Sequence, residues 1–192
     1  MGAFTLNKKT LALTTKQYQD IINTMRTGFS GCRPNNRIAT ALVIEANLGL
    51  RISDILNLKL NDIIKDGDRY RLDIVEQKTG KERKFTVLPE LYNYIKIYCL
   101  ENSIKAHEVI FKLTERAIQK QLKIVCDYLG YEGISTHSFR KYFATNVYNN
   151  NDYNIVIVQR LLQHSTPDVT QKYIGLEPKA IEDALKKHSC LI

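Results

Sequence analysis

The sequence of 192 residues contains no tryptophan, only four prolines and no long run of apolar residues. A membrane-spanning helix needs about 20 consecutive apolar residues, and no stretch of the chain approaches that length. The first residues, MGAFTLNKKTLAL, are too short and too mixed in character for a secretory signal. Hydrophobic residues still make up 44% of the chain and charged residues 25%, so the composition predicts a folded domain with a core.

Cysteine and histidine are also scarce. The four cysteines, Cys32, Cys99, Cys126 and Cys190, show no CxxC spacing, and the four histidines form no HExxH pair. These absences argue against disulfides and against a zinc site, and they favour a reducing cytoplasm. We therefore expect a cytoplasmic protein that uses no metal and no cofactor.

Positive charge is what the chain has in excess. It carries 28 lysines and arginines against 20 acidic residues, which gives a net charge of +8. Such a balance favours a polyanionic partner, and nucleic acid is the first candidate. The alternative is a soluble protein whose basic charge has no functional meaning.

Helix signals dominate the first third of the chain. Thr14 and Gln17 have capping-box spacing before an apolar pattern with helical periodicity. Pro34 is placed to open a second helix, Gly49 to end it, and Ser53 could cap a short third one.

Strand signals are confined to the middle of the chain. RYRLDIVEQ alternates in polarity and RKFTVL is a second candidate strand, so the connecting KTGK predicts an antiparallel hairpin. Further helices are predicted at 90–101, 114–129, 137–150, 153–163 and 168–174. We expect a mainly α fold with a small antiparallel β-sheet, in the α+β class.

Two arginines stand in unusual surroundings. His137 and Arg140 lie three positions apart on a predicted helix, where they could share one flank and bind an anion. A capping histidine beside an exposed arginine is the simpler interpretation. Arg51 lies among apolar residues, and Asp54 could either pair with it structurally or orient it toward a ligand.

Three further residues become informative only in combination. Lys78 lies at the predicted hairpin turn, where lysines are usually just solvated. His164 precedes Tyr173 by nine positions. A tyrosine hydroxyl, with a pKa near 10, is a poor nucleophile unless it faces an electrophile whose charge is neutralised.

Four segments in order, LGLRISDILNL, KTGKERKF, HSFRKYFAT and LLQHSTPDVTQKYIG, resemble the tyrosine recombinases, also called phage integrases. The resemblance spans residues 11–176 and implies the catalytic-domain fold of that family. Gln163 stands where many members have glycine, and Asp54 stands where glutamate is commoner. Both departures leave the catalytic set intact.

The resemblance implies roles for each residue. Tyr173 would attack a DNA phosphodiester and form a 3′-phosphotyrosyl link. Arg51 and Arg140 would clamp the phosphate oxygens, with hydrogen bonds from His137 and His164.

The same resemblance assigns the supporting residues. Lys78 would be the general acid for the leaving 5′ oxygen, with Lys81 of the same turn as the second candidate. Asp54 would hold Arg51 or a neighbouring histidine in place. Permanent cations would supply the positive charge, so no metal is implied.

Double-stranded DNA is the implied partner. Basic side chains are expected on the DNA face, and the candidates are Arg37, Arg71, Arg83, Lys84 and Lys141. The amphipathic tail, 177–192, is expected either to pack on a neighbouring subunit of a tetramer, with Ile181 and Leu185 as anchors, or to close its own core.

The length predicts one catalytic domain over residues 1–192, without the N-terminal or arm-binding domains of typical members. The chain would be either a catalytic domain cut from a longer protein or a small stand-alone recombinase. The implied reaction is strand cleavage and rejoining in integration, excision or inversion of mobile or phage DNA in a bacterial host. A type IB topoisomerase-like enzyme, an inactive DNA-binding relative and a basic helical scaffold for nucleic acid are the alternatives.

Overall fold

The computed structural model describes residues 10–174, without the side chain of Lys172. These residues belong to two compact units, which divide between Phe143 and Ala144. The predicted tail helix, 177–192, lies outside the described residues. The assignment of residues 1–192 to a single catalytic domain stays a prediction.

Helices provide most of the described structure, together with one sheet in the first unit. The elements before residue 136 are α1 Thr15–Thr27, α2 Asn36–Leu48, α3 Ile52–Asn57, a short 3₁₀ turn Leu60–Asp62, β1 Ile63–Asp66, β2 Arg69–Val75, β3 Glu82–Val87, α4 Pro89–Glu101 and α5 Glu115–Leu129. They are followed by α6 Thr136–Asn149, which crosses the division between the units, and by α7 Ile155–Leu162 and α8 Pro167–Ile174.

The capping box predicted for α1 is confirmed. Thr14 Oγ1 accepts a hydrogen bond from Gln17 N at 3.1 Å, and Thr14 N donates to Gln17 Oε1 at 2.9 Å. Each bond satisfies a backbone or side-chain group that the start of a helix would otherwise leave unpaired. This short-range motif could be read from the sequence because both partners lie within one turn.

Two other predicted helix starts are wrong. The second helix begins at Asn36 and not at Pro34, because Asn35 Oδ1 accepts from Ile38 N at 3.1 Å and caps it. The third helix begins at Ile52, one residue before Ser53, which the sequence suggested as its cap. Asparagine is among the preferred N-cap residues, so the cap at Asn35 sets the start of the helix and leaves Pro34 outside it.

The sheet has one strand more than the predicted hairpin. Its order is β1-β2-β3, with antiparallel pairs in which Leu72 lies opposite Ile63 on one side and Phe85 on the other. Only the first residue of β1 is buried, so this short edge strand lacks the alternation that reveals a strand. In β3, by contrast, Arg83 and Val87 are buried and share a face with Phe85.

The core of the first unit forms where α2 lies. Nine of its 13 residues are buried, including Leu42 and Ile44, which is typical of a helix covered on several sides. Ile21 of α1, Ile55 of α3 and Phe139 of α6 are fully buried members of the same core. The apolar pattern therefore fixes the segment before Arg51 within the interior of the unit.

Gly49 ends α2 as the sequence predicts, and its conformation explains why a glycine is needed. The residue lies in the left-handed region, with φ +59°, and its N–H donates to Glu45 O at 2.9 Å. A Cβ at this position would overlap the ring of Phe143. Gly49 thus lets α6 approach the end of α2 just before Arg51.

We expect Gly49→Ala to lower the free energy of unfolding by more than the same change at Gly130. Both residues are left-handed helix caps, but nothing surrounds the position that a Cβ would take at Gly130. Alanine should cost roughly 1–2 kcal/mol for the left-handed backbone at either site. Overlap with Phe143 should add about 1–3 kcal/mol at Gly49 alone. Urea unfolding followed by circular dichroism measures both, and equal losses would contradict the close approach.

Candidate active site

A buried carboxylate lies at the centre of the charged residues in the first unit. Glu76 follows directly after β2 and is 1% exposed. Its Oε2 accepts from Arg51 Nη1 at 2.6 Å and from Thr79 Oγ1 at 2.9 Å, and its Oε1 accepts from Arg83 Nη1 at 3.1 Å. One carboxylate therefore connects the start of α3, the β2–β3 turn and β3.

Glu76 is charged at neutral pH despite its position. Burial alone would raise its pKa, but the hydrogen bonds from Thr79 and Arg51, together with the charge of Arg83, outweigh burial and leave the pKa below its ordinary value. A buried carboxylate stays ionised only when cations and donors compensate for lost water. The contacts of Glu76 with Arg51 and Arg83 are thus pairs of opposite charges. Glu76 is not among the site residues predicted from the sequence.

Arg83 is the second residue whose role the sequence analysis misjudged. The predicted DNA contact is 1% exposed and its guanidinium lies 5.2 Å from the centre of the Phe85 ring. Burial, with the nearby charges of Arg140 and Arg51, lowers the pKa of Arg83 to about 10, although Glu76 opposes the change. The signal was present in RKFTV, where strand alternation places Arg83 on the face of Phe85 and Val87.

Arg140 belongs to the same cluster. It is 1% exposed on α6, and its charge lowers the pKa values of both Arg83 and Glu45. The structure thus brings the two predicted phosphate-binding arginines within electrostatic reach of one residue, Arg83. His137, one turn earlier on α6, is exposed.

Asp54 has a different partner from the one that the sequence suggested. Arg51 pairs with Glu76, while Asp54 Oδ1 accepts from Gln77 N at 2.9 Å. Asp54 is 4% exposed, so this bond ties the β2–β3 turn to α3. The turn carries Lys78, which is exposed.

The β2–β3 turn is closed by its own backbone. Gly80 N donates to Glu76 O at 2.8 Å, and Glu76 N donates to Lys81 O at 3.0 Å. The side chains of Lys78 and Lys81 both project from this closed turn and are exposed. Either ammonium is therefore free to reach a ligand without disturbing the core.

The second unit contains the other two predicted residues. Gln163 ends α7 in the left-handed conformation, with φ 54°, and directs the chain into His164. His164 Nδ1 lies 3.1 Å from Thr170 Oγ1, and the rings of His164 and Tyr173 meet edge to face with centroids 5.0 Å apart. The α7–α8 connection thus places the predicted nucleophile beside its predicted phosphate contact.

The predicted DNA-facing side chains fall into two groups. Arg37 and Lys84 are exposed and Arg71 is half-exposed. Lys141 is 8% exposed and its Nζ donates to Thr10 O at 2.6 Å. Arg83 on β3 and Lys141 on α6 are therefore buried residues that make contacts within the protein.

Residues 10–174 show neither a candidate metal site nor a membrane-spanning helix. This part of the chain contains no group of three or more histidine, cysteine, aspartate or glutamate side chains placed to hold a metal ion. None of its helices has the length and apolar content to cross a bilayer.

Comparison with known proteins identifies the fold family. The sequence model of one protein family, described as Phage integrase family, matches residues 12–179, which is most of the chain. The chain belongs to the phage integrase family. The resemblance drawn from the four sequence segments is thereby confirmed, as is the assignment to tyrosine-type site-specific recombinases.

Two curated relatives are about one third identical to this integrase-family chain. The probable integrase/recombinase YoeC of Bacillus subtilis (strain 168) is 32% identical over 160 residues, which cover 79% of this chain and 84% of the relative. The probable integrase/recombinase of Acholeplasma phage L2 is 31% identical, over 73% of this chain and 50% of the relative. The chain thus spans most of the first relative and half of the second.

Solved structures show the same fold at low identity. The XerH site-specific recombinase bound to palindromic difH substrate has a TM-score of 0.69 and 18% identity, over 93% of this chain and 53% of that one. The catalytic domain of bacteriophage HP1 integrase has a TM-score of 0.65 and 19% identity, over 94% and 96%. The predicted α+β recombinase catalytic-domain fold is confirmed.

The buried Glu45 on α2 should make the integrase-family chain less stable as the pH rises. Burial raises the pKa of Glu45 well above its ordinary value, and the charge of Arg140 opposes this only in part. The folded state therefore favours the neutral acid, and this stabilisation is complete below about pH 4.3 and is lost as the pH rises to the folded pKa.

Glu45→Gln should remove this loss. The free energy of unfolding of the variant, relative to that of the unchanged chain, should therefore rise between pH 5 and pH 8, by about 1.4 kcal/mol for each pH unit below the folded pKa of Glu45. Urea unfolding at both pH values measures the difference. Glu101→Gln, at the exposed end of α4, is the control. A constant difference at both pH values would show that Glu45 is ionised throughout.

Proposed function

We propose that the chain is the catalytic part of a site-specific recombinase that cleaves and rejoins double-stranded DNA in integration, excision or inversion. The observation that carries this proposal is the convergence of Arg51 and Arg83 on Glu76, with the charge of Arg140 acting on Arg83, in a member of the phage integrase family. The two curated relatives described above carry the name probable integrase/recombinase.

The charge balance of the cluster suits a phosphodiester. The guanidinium groups of Arg51 and Arg83 bind the carboxylate of Glu76, the charge of Arg140 reaches Arg83, and the Asp54 carboxylate is bound to the backbone amide of Gln77. The excess positive charge would be neutralised by an anion with several oxygens. Arginine is suited to that task because its planar fork matches phosphate oxygens and keeps its charge near neutrality.

In the proposed reaction the phenolic oxygen of Tyr173 attacks phosphorus and displaces the 5′ oxygen, forming the 3′-phosphotyrosyl ester. Arg51 and Arg140 would stabilise charge on the non-bridging oxygens, and removing such a preorganised donor typically costs on the order of 10²–10³ in rate. The leaving oxygen would take its proton from Lys78. Attack by a 5′-hydroxyl then reverses the step, so one phosphodiester is stored as another.

The remaining parts of the proposal concern the contacts around the reacting phosphate. His137 and His164 would each donate a hydrogen bond to a phosphate oxygen. The exposed Arg37 and Lys84 and the half-exposed Arg71 would bind the DNA backbone in a salt-dependent manner.

Assembly and place of action complete the proposal. Tetramers on DNA would form through the C-terminal residues 177–192, with Ile181 and Leu185 as the anchors. A reaction of this kind takes place where the DNA lies, which in a bacterial host is the cytoplasm.

Tyr173→Phe should abolish covalent attachment to DNA, because phenylalanine has no hydroxyl to attack phosphorus. Duplexes that the chain binds are first selected from a randomised pool and then nicked beside the bound sequence, so that the cleaved fragment is lost and the adduct accumulates. Denaturing gel electrophoresis measures the adduct.

Tyr153→Phe is the matched control, since Tyr153 is a 67% exposed tyrosine of the same unit. It should form the adduct at the unchanged rate. An adduct that persists in Tyr173→Phe would assign the nucleophile to another residue, and no adduct with the unaltered chain would contradict the proposed function.

A further inference from the structure

We propose that Glu76 is a positioning residue that holds Arg51 in the orientation required for the phosphate, and that Arg83 anchors Glu76 for this purpose. The inference rests on the proposed function and adds two residues to the catalytic machinery. Neither touches the phosphate in this scheme, so both act through Arg51.

The geometry assigns the two carboxylate oxygens of Glu76 to different tasks. Oε2 receives the short 2.6 Å bond from Arg51 Nη1, and Oε1 receives the 3.1 Å bond from Arg83 Nη1. The carboxylate plane is therefore fixed from both ends. Thr79 Oγ1 adds a second donor to Oε2 at 2.9 Å.

Arg51 and Arg83 differ in how firmly their surroundings hold them. The Arg83 side chain is 1% exposed, lies on the inward face of β3 and lies near the Phe85 ring. Arg51 is 24% exposed and lies at the start of a short helix. Of the two, Arg51 has the more freedom, and its bond to Glu76 restricts it.

Restricting Arg51 matters more for the reaction rate than for DNA affinity. A long side chain that reaches a phosphate from several rotamers still contributes attraction, but it stabilises the transition state only when its donors are correctly aimed. A misplacement of about 1 Å can cost on the order of 10²-fold in rate. Removing the negative Glu76 also leaves the site more positive, so affinity for DNA should hold or rise.

A purely structural ion pair is the competing explanation, and it can be separated from positioning. Glu76→Gln leaves Arg83 buried without its counter-charge, which destabilises a fold strongly. Glu76→Gln combined with Arg83→Met removes both charges, and replacing a buried pair by uncharged groups is often neutral or stabilising. The double variant should therefore regain stability without regaining a carboxylate to hold Arg51.

The test measures single-turnover formation of the Tyr173 adduct, binding to the uncut duplex and the thermal unfolding midpoint. Positioning predicts that the double variant melts near the unaltered chain, binds duplex as well, and cleaves about 10²-fold more slowly. Glu101→Gln, which removes one exposed negative charge from α4, should leave all three values unchanged.

The outcomes separate the inference from the proposed function. Recovery of both stability and cleavage rate in the double variant would make the Glu76–Arg83 pair structural and overturn the inference alone. A double variant that remains unfolded would also overturn it, because the pair would then be required for the fold. Absence of any adduct with the unaltered chain would overturn the proposed function, and the inference with it.

Discussion

The carboxylate of Glu76 is the interaction on which the charged part of this protein depends. Three guanidinium groups on α6, on β3 and at the start of α3 would repel one another if no anion lay among them. Glu76 takes one arginine on each oxygen and remains ionised because these donors compensate for its burial. Glu76, the residue directly after β2, thereby makes the close approach of the arginines compatible with a stable fold.

The fold supplies rigid supports for this cluster. Arg51 follows a helix whose end is fixed by Gly49 against Phe143, and Arg83 lies on the inward face of a paired strand. Asp54 on α3 binds the backbone of the β2–β3 turn, and Glu76 closes the same turn through its own backbone hydrogen bonds. Regular elements thus present the charges, while Lys78 and Lys81 of the turn remain exposed.

The second unit uses another means to place its polar residues. The left-handed Gln163 turns the chain after α7, so that His164 lies beside Thr170 and the Tyr173 ring of the following helix, α8. These contacts are local in sequence, which is why the spacing of histidine and tyrosine could be read from the chain. The Arg51–Glu76 pair in the first unit joins residues 25 positions apart, and no local motif indicated it.

The sequence alone determined the mainly helical class, the central hairpin, the capping box at Thr14 and the family, because these depend on periodicity and on motifs of a few residues. Only the tertiary structure decided that Arg51 pairs with Glu76 and not with Asp54, that β1 extends the sheet, and that Lys141 lies inside. The physical reason is that burial and ion pairing follow from which distant segments pack together, and a residue's own neighbours in the chain do not specify that.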